Sequence, residues 1–231
     1  MTFSMKRIYA IFQKDLKELY RNLFVSSTII LPIMMAFMMS QAEGVTTASV
    51  TLVITLSFAA VGTFVQSAMI AEEKEKNTLR SLMMSPASTL DIMAGKSLVT
   101  FVMTLATLIV SLLIVGYSIQ EPVWMTGMLL LLLVFYITLG TLIGLLTRTL
   151  IEASVVLMPI LLLFGMNVTF ESLMASYEFL SFLEYLPNYQ IQLFIDDLGQ
   201  RISLKPAFII GVWTIMTLIV TIGVYKKKFT R

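Results

Sequence analysis

Six stretches of this chain run for 18 residues or more without a Lys, Arg, Asp or Glu: Leu23 to Ser40, Val45 to Ala71, Ser97 to Ile119, Val123 to Leu146, Ala153 to Phe170 and Pro206 to Tyr225. A helix of roughly 20 apolar residues crosses a hydrocarbon core about 30 Å thick. Each stretch therefore predicts one membrane-spanning helix. Pro32 and Pro159 fall inside the first and fifth spans. Each frees a backbone carbonyl, and both are predicted kink points. Gly140 and Gly144 form a Gly-x-x-x-Gly pair in the fourth span, a pattern that lets helices approach closely.

The segments between and before the spans have their own patterns. From Met5 to Asn22 the residues Ile8, Tyr9, Phe12, Leu16, Leu19 and Tyr20 fall on one face at about 100° per residue. Lys6, Gln13, Lys14, Lys17 and Arg21 fall on the other. The pattern predicts an amphipathic helix lying flat at the membrane surface, with lysine stems reaching the headgroups. Glu171 to Lys205 is the long connection, between the fifth and sixth spans. Its apolar residues Leu173, Phe179, Leu180, Phe182, Leu183, Tyr185 and Leu186 alternate with Glu171, Glu178 and Glu184. One or two short re-entrant or interfacial helices are expected there, broken at Pro187, with a second piece starting near Tyr189.

The positions of the charges orient the spans. Fourteen of the 16 Lys and Arg residues fall in the N-terminal segment, in the loops after the second and fourth spans, or in the tail. Only Arg201 and Lys205 fall on the other side. Basic loops stay in the cytoplasm, so both ends are expected inside. The fold class expected is an all-α membrane protein. It divides into an amphipathic helix over 1–22 and a six-helix transmembrane domain over 23–231. The latter carries a cytoplasmic loop at 72–96 and an outer-leaflet helical loop at 171–205.

Composition agrees. The chain is 58% hydrophobic and only 13% charged, against about 25% charged in soluble domains, and its mean hydropathy is +0.89. A net charge of +2 offers no nucleic-acid footprint. There is no Cys and no His, which removes thiol nucleophiles, imidazole bases and the commonest metal ligands. Asp15, Asp91, Asp196 and Asp197 all lie outside the predicted spans, so a paired-aspartate intramembrane protease is not supported either. An enzyme is not expected. Gly95-Lys96-Ser97 has the ending of a nucleotide-binding loop, but Leu90 stands where the first glycine is needed and an apolar span follows. That context fails the motif, so energy would have to come from a partner.

The loop from Ala71 to Lys96 carries the candidate function. Glu72, Glu73 and Glu75 alternate with Lys74 and Lys76. Thr78 can cap a short helix bearing Leu79, Leu82 and Met83 on one face, and Ser85-Pro86 ends it. Ser88-Thr89 can start another turn toward Gly95-Lys96, so the loop is expected to form a helical hairpin just under the membrane. The Leu/Met edge either meets a protein partner or faces the lipid surface.

The run Glu73-Lys74-Glu75, Thr78, Leu82, Ser85-Pro86 and Gly95-Lys96 resembles the coupling loop of type-2 ABC exporter permeases. The resemblance covers essentially the whole chain. It departs at Asn77, where the family often has Gly, and at Arg80, where it often has an acid. It implies a permease subunit that pairs with a second permease, the same or a similar chain, and docks on two separate ABC ATPase subunits. By this resemblance Lys14 and Lys17 on the flat helix and Glu72, Glu73, Lys74, Glu75, Thr78, Leu79, Leu82, Met83, Ser85 and Pro86 on the loop couple to the ATPase. ATP and Mg would sit in that partner, with no cofactor in this chain. The charge-free spans and 17 methionines suit a hydrophobic or amphipathic cargo, a peptide or a drug. A bacterial plasma membrane is the expected location. The other class to weigh is an ion-coupled transporter or channel subunit, for which Pro32 and Pro159 would supply broken helices.

Overall fold

The protein is described here by a computed structural model covering residues 4–42, 44–78, 89–165, 174, 177–198 and 203–229. Among these residues the only regular structure is helical. Helix α1 (Met5–Arg21) is followed by α2 (Leu23–Ser27) and α3 (Ile30–Ser40). Next come α4 (Thr47–Ser57) and α5 (Phe64–Glu75), joined without interruption by a π-helical segment (Phe58–Thr63). Then follow α6 (Thr89–Val115), α7 (Pro122–Leu146) and α8 (Leu150–Gly165). A 3-10 helix (Glu178–Tyr185), α9 (Pro187–Asp197) and α10 (Lys205–Phe229) complete the described chain.

Among the described residues five helical stretches are long and apolar enough to cross a membrane: Leu23–Ser40, Thr47–Glu75, Asp91–Val115, Pro122–Leu146 and Lys205–Lys227. The shorter apolar helix α8 occupies the place of the expected fifth span; residues 166–170 of that span lie outside the described residues. Large apolar side chains point outward along the stretches, among them Leu113, Val123, Ile151 and Phe208. That surface needs lipid as its solvent, and the chain is a multi-pass membrane protein.

The Thr47–Glu75 rod is the axis of the bundle. Nearly every residue from Val50 to Ala71 is buried. The π-helical segment lies at its middle, and a Cβ at Gly62 there would meet the Tyr136 Cβ of α7 and the Thr104 side chain of α6 at ordinary contact distance. Gly140 and Gly144 turn their bare faces to this rod. A Cβ at Gly140 would lie 2.5 Å from the Thr63 carbonyl oxygen, and one at Gly144 would lie 2.8 Å from the Ile70 Cβ. The pair thus packs α7 against the rod within one chain. Hydroxyl and amide groups add polar ties between the same helices. The Gln66 amide donates to Thr141 Oγ1 (2.9 Å) on α7 and accepts from Thr100 Oγ1 (2.6 Å) on α6.

The two prolines behave differently. The first apolar stretch is broken at Thr28 and Ile29, four and three residues before Pro32. A proline ring obstructs the carbonyl four residues back and offers it no N–H. The Thr28 carbonyl accepts from Leu31 N instead (3.3 Å), and Ser26, Ser27 and Thr28 hydroxyls donate to nearby carbonyls. Helix α8 runs through Pro159 without a break.

Two sequence boundaries move. The second apolar helix continues through Glu75 rather than ending at Ala71, and the third begins at Thr89 rather than at Ser97. Much of the loop predicted at 72–96 is therefore helix, because charged side chains there find partners inside the protein. At the opposite end of the bundle Pro187 opens α9, as the first residue of the helix, a position where its missing N–H costs nothing. Asn188 and Gln190 of α9 are fully buried, and α9 packs against α4 and α10.

Candidate functional site

The charged residues of the loop and of α1 converge at one end of the bundle, the end bearing most of the Lys and Arg residues. Helix α1 has three faces rather than two. Ile8, Ile11, Asp15 and Leu19 are buried against the protein. Tyr9 and Tyr20, placed by the sequence pattern on the same apolar face as Ile8 and Leu19, are exposed. Lys6, Gln13, Lys17 and Arg21 are exposed on the polar side. The tyrosines suit a membrane interface, where an aromatic body and a polar tip are both satisfied.

Helix α1 is held along the start of α6. Asp91, fully buried in the first turn of α6, accepts from Ser4 N (3.1 Å) at the positive end of α1 and lies 3.7 Å from Arg7. Gly95 lets the helices touch, since a Cβ there would sit 2.8 Å from the Ile11 Cβ. Lys96, one residue on, is fully buried. Its ammonium lies 3.0 Å from Asp15 Oδ2 and 2.7 Å from Glu73 Oε2. Lys14 reaches Asp15 Oδ1 (3.0 Å), Glu18 Oε2 (3.3 Å) and the Glu73 carboxylate. Burial by itself would lower the Lys14 ammonium, but its hydrogen bond to Glu73 and the charges of Asp15 and Glu73 outweigh that, and its pKa lies above the ordinary lysine value. Asp15, Glu18 and Glu73 place carboxylate oxygens within 4.8 Å of one another. The two ammonium groups already supply the counter-charge, so this is an ion-pair knot.

The four consecutive residues Glu72 to Glu75 each reach a different neighbour. Successive side chains on a helix point about 100° apart, and the rod stands at the centre of the bundle, so the four cover its circumference. Glu72 accepts from Asn22 Nδ2 (2.9 Å) at the joint between α1 and α2, and pairs with Lys76 (2.5 Å). Glu73 joins the knot. Lys74 donates to the carbonyls of Gly144 (3.1 Å), Leu145 (2.8 Å) and Thr147 at the end of α7. Glu75 accepts from Leu150 N (3.0 Å) at the start of α8. Beyond them Asn77 adopts φ +56°, the left-handed backbone that Asn tolerates and for which Gly is the usual choice. The Thr78 hydroxyl folds back onto the Glu73 carbonyl (3.2 Å). A cleft of about 50 Å3 lies between α1 and the end of the rod, bordered by Glu18, Asn22, Glu72, Lys76 and Thr78.

The candidate residues thus divide. Glu73 is buried inside the chain and Lys74 is engaged by the end of α7, so neither presents a free charge outward. Lys17, Lys76 and Thr78 are exposed. Leu79, Leu82, Met83, Ser85 and Pro86 lie outside the described residues. Sequence reasoning passed over Asp15, Asp91, Gly95 and Lys96 as site residues. Asp15 carries a legible signal: it sits on the stripe Ile8, Ile11, Leu19, where a lone acid asks for a buried cation. The Thr149-x-x-Glu152 pattern before α8 is also legible as a helix start; Glu152 N donates to Thr149 Oγ1 (3.1 Å).

A helical bundle dressed for lipid, with a polar knot binding α1 to the end of the rod, defines a multi-pass membrane protein. A sequence model of the family described as "ABC-2 family transporter protein" matches residues 4–225. The chain belongs to that family: it is an ABC-2 type permease, the transmembrane component of an ABC transporter, a class that transports without itself being catalytic and works with an ABC ATPase. No curated protein matches the chain.

Proposed function

We propose that this chain is the permease subunit of an ATP-driven exporter, crossing the membrane six times with both ends in the cytoplasm. In this reading α8 is the fifth span, and α1 lies flat at the cytoplasmic surface. The 3-10 helix and α9 fold back into the outer leaflet, where the buried NH2 groups of Asn188 and Gln190 donate to the carbonyls of Leu163 and Glu184. Two permeases, the same or similar chains, form the pathway, and two ATPase subunits dock beneath them. ATP and Mg belong to those subunits. The cargo is hydrophobic or amphipathic, moved outward across a bacterial plasma membrane. A pathway lined by Met, Leu, Phe, Thr and Ser, without fixed charge, suits that cargo.

The single observation that carries the reading is the knot. A protein that must hand on a push from outside needs its receiving parts joined to its spans. Here Lys96 joins the surface helix, through Asp15, to the base of the hairpin, through Glu73, and to α6 itself. The docking surface is then the exposed side of α1 (Lys17 and Arg21) together with Thr78 and the Leu79, Leu82 and Met83 edge.

The experiment is co-purification of the full chain from its native membrane in mild detergent. Native protein is expected to carry an ATPase that hydrolyses ATP. Lys17→Glu combined with Leu82→Asp, both outside the knot, is expected to lose it while the permease itself still elutes as a folded species. Retention of the ATPase by the double variant would remove these residues from the docking surface. Absence of any ATPase from the native preparation would favour the ion-coupled class.

A further inference from the structure

Lys74 and Glu75 are adjacent residues of opposite charge, and they meet opposite ends of two successive helices. The last carbonyls of a helix lack partners and carry partial negative charge; the first N–H groups carry partial positive charge. The Lys74 ammonium has three donors and reaches three carbonyls, those of Gly144, Leu145 and Thr147, at the end of α7. The Glu75 carboxylate accepts from Leu150 N, the first residue of α8. Each charge has the sign that its helix end favours. Between those ends the chain makes a three-residue turn, Thr147 to Thr149. Gly144 brings that turn within reach, because any side chain there would strike Ile70 and Ser67 of the rod.

We infer that Lys74 and Glu75 are positioning residues that clasp the turn between α7 and α8 to the base of the hairpin. This rests on the proposed function, in which the hairpin receives the ATPase. A displacement of the hairpin then travels into α7 and α8, two helices to which it is not directly joined along the chain. The acidic-basic run serves as an internal crossbar at these two positions and leaves contact with the partner to Thr78 and the residues after it.

The test uses the full chain in liposomes. It has no cysteine of its own, so introduced pairs are the only thiols. Spin labels at Lys76→Cys and Arg148→Cys report the distance from hairpin base to turn. In the otherwise native chain this distance is expected to be single and narrow. The charge exchange Lys74→Glu with Glu75→Lys keeps the net charge and places the wrong sign at both helix ends; it is expected to broaden and lengthen the distance. Lys74→Arg, which still donates to carbonyls, is expected to keep it narrow. A second pair, Lys17→Cys with Leu98→Cys, spans the α1–α6 joint and is expected to be unchanged. If the exchange disturbs that pair as well, the neutral variants Lys74→Gln and Glu75→Gln, each releasing one helix end, are read in its place.

A readout beyond mere folding comes from adding ATP and vanadate to the preparation holding its co-purified ATPase. The native 76–148 distance is expected to stay constant on trapping, because hairpin and turn move together. In the charge exchange the hairpin follows the ATPase and leaves the turn behind, so a shift appears only there. A native pair that separates on trapping, or a charge exchange and neutral variants that leave the distance narrow, would overturn the clasp. If no ATPase is recovered, it is the proposed function that fails, and the first comparison still decides the clasp.

Discussion

The two ends of the Thr47–Glu75 rod hold their neighbours with different chemistry. At the basic end the ties are ionic: Glu73 with Lys96 and Lys14, Lys74 on the end of α7, Glu75 on the start of α8. At the other end they are neutral. The carbonyls of Leu163, Phe164 and Gly165 on α8 are met by three side chains from three elements: Asn188 Nδ2 donates to Leu163 (3.1 Å), the Tyr136 hydroxyl to Phe164 (2.5 Å) and the Thr55 hydroxyl to Gly165 (3.1 Å). Both sets of ties engage backbone groups of the neighbouring helices. The difference follows from the surroundings. Buried charge is tolerated where every ion finds a partner, whereas within the apolar bundle the ties are made by hydroxyls and an amide. Helix α8 is tied to the rod at two places, through Glu75 at Leu150 and Thr55 at Gly165.

The sharpest way to break this contrast is to unbalance the ionic end. Lys96→Ala leaves Asp15 and Glu73 buried with Lys14 as their only remaining cation. Removing one partner of a buried ion pair costs about 3–5 kcal/mol, and thermal unfolding in detergent should show a loss of that order. Next comes the contact that sets the rod's distance from α7. Gly140→Val drives new atoms into the Thr63 backbone, a fixed neighbour, and overpacking of this kind costs about 1–3 kcal/mol; the same unfolding measurement checks it. At the neutral end Tyr136→Phe keeps the ring stacked near Phe58 and leaves the Phe164 carbonyl without its donor. The expected loss is about 1 kcal/mol, below that of Lys96→Ala. An equal loss would erase the contrast between the two ends.

The smallest effect is one of pH. The Lys14 ammonium titrates above the ordinary lysine value, because Glu73 and Asp15 stabilise its charged form against the cost of burial. A cation whose folded pKa is raised contributes fully below its unfolded value of about 10.4, and that contribution is lost as pH rises through the folded value. Thermal stability should therefore show no Lys14-dependent change across the neutral range. Above the ordinary lysine range the native chain should lose stability faster than Lys14→Met.

The comparison also explains what could be read from the sequence. The apolar stretches were legible because charge is excluded from hydrocarbon, and the Gly140–Gly144 face because few residues other than glycine permit such an approach. The ends of the helices were not. A run such as Glu72 to Glu75 looks like a solvated loop until its partners are known, and those partners lie up to 75 residues away in the chain. One feature held a partial signal. Asp15 interrupts an apolar stripe, whereas Lys96, at the edge of the predicted loop, looked solvated. The stripe implies a buried partner without naming it. The ties of Thr55 and Tyr136 to α8 left no trace, because threonine and tyrosine are ordinary residues in membrane helices. The rotation of α1, which buries Ile11 and exposes Tyr9, was hidden because the helix has two apolar faces, one buried and one exposed, and a periodicity merges them.

Buried Lys96 fastens α1 to the end of the rod, through Asp15 and Glu73. Amide hydrogen exchange over Met5–Arg21 in the native chain and in Lys96→Ala, with Pro122–Leu146 as internal reference, tests it most directly. The knot predicts that α1 exchanges slowly in the native protein and much faster in the variant, with the reference helix little changed. Equal protection of α1 in both proteins would contradict it and would leave the apolar contacts of Ile8, Ile11 and Leu19 as what holds the helix in place.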